Sequence, residues 1–189
     1  MEKDSFQNKQ GSADIQIEFA KLKDWPEYKK LRLEAVIGPD AKMFGIDAEE
    51  VEKLKIKSDQ EWQEDLSKND DFILFFRNGP TVMAMGRIAK INEQGTWHLG
   101  SGYVTPAFRG HGLGKKMFLA RLKEILRQGG KKVEIEVNIT NEISIHLAKS
   151  IGFQSIGIVS SKGRFWNEMD LDLTDPEVVR RINEVLDAG

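Results

Sequence analysis

The sequence predicts an α+β domain built on one mixed, mostly antiparallel sheet flanked by helices. Three observations carry that prediction. Alternating apolar runs separated by tight turns fill residues 72–105, which gives an antiparallel meander. A strongly periodic helix follows at 112–128, and an alternating strand at 132–138 then returns beside the meander through that helix as a strand-helix-strand unit.

Taken in order, residues 1–13 offer only Phe6 to a core and read as a disordered N-terminal arm, leaving 14–189 as the folded domain. Ile15, Ile17 and Phe19 alternate with polar residues as a first strand. A helix follows from Asp24, a good cap, with Pro26 in its first turn and Tyr28, Leu31, Leu33, Ala35 and Val36 on or near its buried side. Gly38-Pro39-Asp40 breaks it. A second helical region, about 47–68, carries Val51, Leu54, Ile56, Trp62 and Leu66 among many charges.

The meander itself runs from Phe72–Phe76 through Asn78-Gly79-Pro80 into Thr81–Ile91, and through Asn92–Gly95 into Thr96–Thr105. In the helix at 112–128, Phe118, Leu122 and Ile125, with Leu119 and Leu126, recur at spacings of three and four, and Gly129-Gly130 stops it. Val133, Ile135 and Val137 point inward from the next strand, with Glu134 and Glu136 on its other face. A short helix at 142–151, a hairpin of 153–159 with 165–173, and a C-terminal helix at 175–187 entered at Pro176 complete the chain.

Composition narrows the chemistry. A chain of 189 residues with 40% hydrophobic content buries one substantial core and is short for two. It has no cysteine, which excludes disulfides, thiolate metal sites and a cysteine nucleophile; a reducing, cytoplasmic setting fits, and no metal site is expected. No long apolar run suggests a membrane span. A formal charge of -2 and a pI near 6.0 argue against a nucleic-acid partner, which calls for a basic excess.

The most informative segment is Val104-Thr-Pro-Ala-Phe-Arg109-Gly110-His111-Gly112-Leu113-Gly114-Lys115-Lys116, placed between a strand and a strong helix. Glycines at alternate positions let the backbone approach a ligand closely, and the helix N-terminus adds partial positive charge, so the loop wants an anion. Two other phosphate loops fail here. The dinucleotide fingerprint needs glycine at 115, and the P-loop needs glycine at 109 and Ser or Thr at 116.

The string Arg109-x-x-Gly112-x-Gly114, entered by Tyr103-Val104-x-Pro106, resembles the pyrophosphate-binding motif of the GNAT superfamily of acyl-CoA-dependent N-acetyltransferases. Asn141, Leu147 and Gly152-Phe153 follow at that family's spacing, and Leu31-Arg32-Leu33-Glu34-Ala35 is similar to its opening helix. The resemblance covers about 15–173. It implies the GNAT fold, acetyl-CoA as co-substrate, and transfer to an amine. It also implies that the backbone from Gly110 through His111, Gly112, Leu113 and Gly114 to Lys115 cradles the pyrophosphate, with Arg109 leading in. By the same resemblance, Tyr103 and Val104 pair with the pantetheine arm, and Asn141 and Ser144 lie along it. Where many members carry a tyrosine acid, this chain has Ala148.

An alkylammonium must lose a proton before it attacks a thioester, so a general base is needed. His98, on the strand leading into the loop, is the first candidate; Glu134 and Glu136 compete, and a water chain to any of them would serve. The expected acceptor is a small-molecule, polyamine or peptide amine, with Asp40, Met43, Phe44, Ile46, Asp47, Glu49 and Glu50 bordering its pocket. A protein N-terminus or lysine as acceptor, and a non-catalytic acyl-CoA sensor, are the alternatives. A homodimer is compatible with the sequence.

Overall fold

Alternation in the sequence becomes a seven-stranded sheet in the computed structural model, which describes residues 15–187. The arm expected at 1–13 lies outside the described residues. The strands are β1 Gln16–Phe19, β2 Asp71–Asn78, β3 Thr81–Lys90, β4 Thr96–Val104, β5 Lys132–Asn138, β6 Gln154–Ser161 and β7 Arg164–Asp172. Their order is β1-β2-β3-β4-β5-β7-β6, antiparallel throughout except between β4 and β5. That parallel pair exists because helix α5 is the crossover between its two strands.

Helices α1 Trp25–Ile37, α2 Ala41–Phe44, α3 Ala48–Ile56 and α4 Asp59–Asp65 belong to one face, and α5 Leu113–Arg127, α6 Glu142–Ile151 and α7 Pro176–Asp187 to the other. Period-two alternation in the strands divides the core accordingly. Ile73, Phe75, Val82 and Met85 pack with Tyr28, Leu31, Ala35 and Trp62, while Leu74, Phe76, Ile88, Trp97 and Val133 pack with Phe118, Leu122 and Ile125. Among the described residues, no helix is long and apolar enough to cross a membrane.

The structure departs from the sequence expectation in two places. The helical region 47–68 divides in two at Lys57, which is extended (φ -57°, ψ 128°). Each half has its own capping box: the Asp47 carboxylate accepts from Glu50 N at 2.7 Å, and Ser58 with Glu61 does the same for α4. Strand β4 is also not regular. Its register runs Arg87↔Gly100 and then Met85↔Tyr103, so three residues of β4 span two of β3. This β-bulge centres on Ser101, whose φ of 46° is left-handed. It reverses the facing of the strand: Trp97 and Leu99 pack toward α5, and Tyr103 toward α1.

Candidate functional site

The bulge opens the site. Strands β4 and β5 pair only over Thr96–His98 with Lys132–Glu134 and then part, leaving a cleft between them. A cavity of about 470 Å³ fills it, with His98, Tyr103, Val104, Glu136, Asn141 and Ser144 in its walls. Arg121 of α5 braces the bulge. Its side chain is 2% exposed; Nη1 donates to Gly100 O at 3.2 Å and Arg87 O at 3.4 Å, and Nε to Met117 O at 3.2 Å. A Cβ on Gly86 would come within 2.8 Å of this side chain, so glycine there makes room for it. Burial pushes the Arg121 pKa down to about 9, which still leaves a charged guanidinium at neutral pH.

At the mouth of the cleft lies the glycine loop. Gly110 (φ 79°) and Gly112 (φ 75°) both adopt left-handed backbone, which is why glycine stands at these two positions. Gly112 is the N-cap of α5, and the Leu113 side chain is buried in the core beneath, so Leu113 presents only its backbone. Among the described residues, no protein group accepts from the amides of Gly110 through Lys115; the next amide, Lys116 N, bonds to Gly112 O at 3.1 Å. A Cβ built on Gly110 or Gly112 meets nothing within 4 Å. Consecutive unsatisfied donors before open space at a helix N-terminus suit a pyrophosphate. His111, Lys115 and Lys116 are exposed beside it.

Arg109 does something the motif did not reveal. Its Nε donates to Val104 O at 2.9 Å and its Nη1 to the Asp40 carboxylate at 2.7 Å, so it ties the end of β4 to the start of α2. This is one anchor of a strap, residues 40–50, laid across the cleft. At the other end Arg164 donates to Gly45 O, and Lys162 Nζ lies 2.9 Å from both Asp47 and Glu50. Gly45 (φ 56°) sits so close to Trp166 and Asn138 that a Cβ would come within 2.4 Å of the indole. Met43, Phe44 and Ile46 line the cavity from the strap, while Asp47 and Glu50 pair with Lys162 and Glu49 with Lys53. Of the acids expected to border the acceptor pocket, Asp47, Glu49 and Glu50 are therefore engaged elsewhere, while Asp40 lines the cavity in its pair with Arg109.

His98 is half-buried in the cavity wall, and neither ring nitrogen is hydrogen-bonded among the described residues. Burial, then the positive charges of Arg87 and Arg121, hold its pKa below the ordinary value. A neutral imidazole with an uncommitted nitrogen is able to accept a proton. Glu136 is exposed and lines the same cavity; Glu134 does not line it and pairs with Lys132 at 3.0 Å. Asn141 caps α6 by accepting from Ser144 N at 3.1 Å, which orients its amide in the wall. The Tyr103 hydroxyl donates to Glu34 at 2.8 Å, and burial with that bond pushes its pKa up to about 12.

Residues 41–153 match the model of the acetyltransferase (GNAT) family. The chain belongs to that family. Solved GNAT-fold structures agree. The protein yncA of Salmonella typhimurium, solved with its cofactor acetyl-CoA, is 22% identical over 85% of this chain and 94% of its own (TM-score 0.63). The PaiA N-acetyltransferase of Thermoplasma acidophilum, with coenzyme A, is 16% identical over 84% and 99% (TM-score 0.69). Spermidine N-acetyltransferase of Vibrio cholerae, with CoA and spermine, is 12% identical over 85% and 96% (TM-score 0.68). No curated protein sequence matches the chain significantly.

Within the GNAT frame, Ala148 is fully buried and packs with the α5-side core, whereas Ser144 and Leu147 of the same helix line the cavity. The cavity residues that sequence reasoning missed include Arg87, Arg121 and Trp166, and it gave Arg32 no role. Arg121 left a signal: it interrupts the apolar stripe of Phe118, Leu122 and Ile125. Gly100 and Gly102, flanking the bulged Ser101, left another.

Proposed function

We propose that the protein transfers the acetyl group of acetyl-CoA to a primary amine by direct attack, with His98 as general base. The carrying observation is the run of unsatisfied amides from Gly110 to Lys115 at the mouth of a cleft whose wall holds an uncommitted imidazole. Acetyl-CoA, as co-substrate, supplies the acyl group activated as a thioester. The amides of the loop would hold its pyrophosphate, and the edge of β4 beyond His98, which β5 leaves unpaired, would take its pantetheine arm. His98 takes one proton from the incoming ammonium, the freed nitrogen attacks the thioester carbonyl carbon as the carbon–sulfur bond breaks, and the attacking nitrogen then gives its second proton to solvent to leave the neutral amide. A thiol with an ordinary pKa of about 8.5 leaves as thiolate and takes its proton from solvent, so alanine at 148 is compatible with turnover.

Glu136 shares the cavity and is the companion base, through water; Glu134 is not placed to act. The strap and its anchors favour a small acceptor over a protein N-terminus or lysine. A cysteine-free chain suits the cytoplasm, where we place the reaction. The test is release of CoA thiol over a broad amine panel, with acetyl-CoA binding measured separately by calorimetry. Binding without release for any amine would leave an acyl-CoA sensor in place of an enzyme.

A further inference from the structure

We infer that the acceptor carries a carboxylate next to its amine, as a free amino acid with an apolar side chain does, and that Arg32 holds this carboxylate. The inference rests on the transfer reading above and narrows its substrate. The inner end of the cavity is cationic. Arg32 of α1, Arg87 of β3 and Arg121 of α5 all line it. Arg87 is matched by Asp71 in a two-pronged pair, 2.6 Å at each contact. Arg121 meets only backbone carbonyls.

Arg32 is the unmatched group. It is half-buried, lines both the main cavity and an adjoining one of about 220 Å³, and among the described residues makes no hydrogen bond or ion pair. The carboxylates around it are engaged: Asp65 by Lys57 at 2.5 Å and Lys68 at 3.4 Å, Asp71 by Arg87, and Glu34 by Tyr103. A half-buried guanidinium without a partner is costly, and such groups gather at functional sites. Its planar fork matches a carboxylate. Polyamines would bring further positive charge to the same wall.

A Cβ on Gly100 would lie 3.3 Å from the His98 ring and 3.6 Å from Arg87 Nη1, so imidazole and guanidinium share one patch of β4. Arg32 and His98 line the same cavity, so a carboxylate held by one and an amine presented to the other would share it. Met43, Phe44, Ile46 and Trp166 give the wall an apolar part, which suits an apolar side chain.

The experiment measures, by calorimetry on the CoA-bound protein, binding of the neutral L-amino acids, each beside its carboxamide, and of spermidine. An apolar amino acid should bind at least about tenfold more tightly than its amide. Arg32→Gln should bring that ratio close to one, and Arg32→Lys should keep part of it, with acetyl-CoA affinity and Tm reported for both. Equal binding of acid and amide, a ratio unmoved in Arg32→Gln, or tighter binding of spermidine overturns the proposal. If the Gln variant does not fold, the wild-type ratio and the Lys variant decide. CoA release is followed in parallel: Arg32-dependent binding without release would sink the transfer reading and leave the carboxylate site standing.

Discussion

The two ends of the cleft are built in different ways. The proposed cofactor end offers backbone: amides from Gly110 to Lys115, held in place by two left-handed glycines. The proposed acceptor end offers side chains gathered from far apart, Arg32 from α1, Phe44 from the strap, Arg87 from β3, Arg121 from α5 and Trp166 from β7. A backbone site needs particular residues in a fixed local order, so it is written as a string. A side-chain site needs only that the tertiary fold bring its parts together. Variants in each end should accordingly separate acetyl-CoA binding from amine handling.

The largest effect is expected at His98. His98→Gln removes the proposed general base, and turnover with amine should fall about 10² to 10⁴-fold while acetyl-CoA affinity holds. Because burial and two arginines keep its pKa below the ordinary 6.5, the neutral imidazole is the majority form at pH 6.5 and above. The acid limb of kcat/KM should therefore lie below pH 6.5 and vanish in the variant. Stability follows the same sign: the His98 contribution is complete above pH 6.5 and is lost as pH falls through the lower folded value. A limb that survives in His98→Gln but disappears in Glu136→Gln would move the role to Glu136.

Next comes Arg121→Met, which strips donors from Gly100 O, Arg87 O and Met117 O in the core. Each unsatisfied buried carbonyl costs about 1 to 3 kcal/mol, offset by removing a buried charge, so a net loss of about 3 kcal/mol is expected by denaturant unfolding. Since the bulge is braced at the acceptor side, the folded variant should raise KM for amine more than for acetyl-CoA. Equal rises would mean that the brace supports the whole cleft.

These expectations show what was legible in the sequence. Periodicity located α5 and the strands, and the glycine string pointed to the loop whose amides have no protein acceptor, because both are local. The bulge was not legible: Ser101 is not a residue that announces left-handed backbone, and its conformation is fixed by Arg121, twenty positions later in the chain. Nor was the roster of acids on the strap a guide, since Asp47 and Glu50 are neutralised by Lys162 from the β6–β7 turn, a contact between residues 112 apart for Glu50. Charge in a sequence gives no hint of its partner.

Smaller effects should separate the glycines that the motif treats alike. Gly112→Ala places a Cβ on left-handed backbone, at a cost of about 1 to 2 kcal/mol, and acetyl-CoA should bind about tenfold more weakly. Gly114 lies inside α5 with no left-handed requirement, and its added Cβ would touch Leu147 at an ordinary 3.5 Å. Gly114→Ala should change affinity less than Gly112→Ala. The reverse order, by calorimetry, would mean that Gly114 itself lies against the ligand.

The smallest effect belongs to the strap. Lys162 is 57% exposed and bridges Asp47 and Glu50, so solvent screens both pairs and each adds little. Lys162→Ala should raise KM for amine by no more than about threefold, leaving kcat and acetyl-CoA affinity in place. Added salt should raise the wild-type KM toward that of the variant and leave the variant unmoved. The pH dependence has a definite sign. Hydrogen bonds, from the Glu50 backbone amide to Asp47 and from Lys162 to Glu50, hold both carboxyls below their ordinary values. Their contribution to strap closure is complete above the ordinary carboxylate range and is lost as pH falls through the lowered folded values. Proteolysis of residues 40–50 by an acid-active protease should quicken over that range in wild type, and already be quick above it in Lys162→Ala. A variant whose strap is cut no faster at neutral pH would assign closure to the other anchors, Arg109 on Asp40 and Arg164 on Gly45, and the double variant with Arg109→Gln would then show the larger rise in KM.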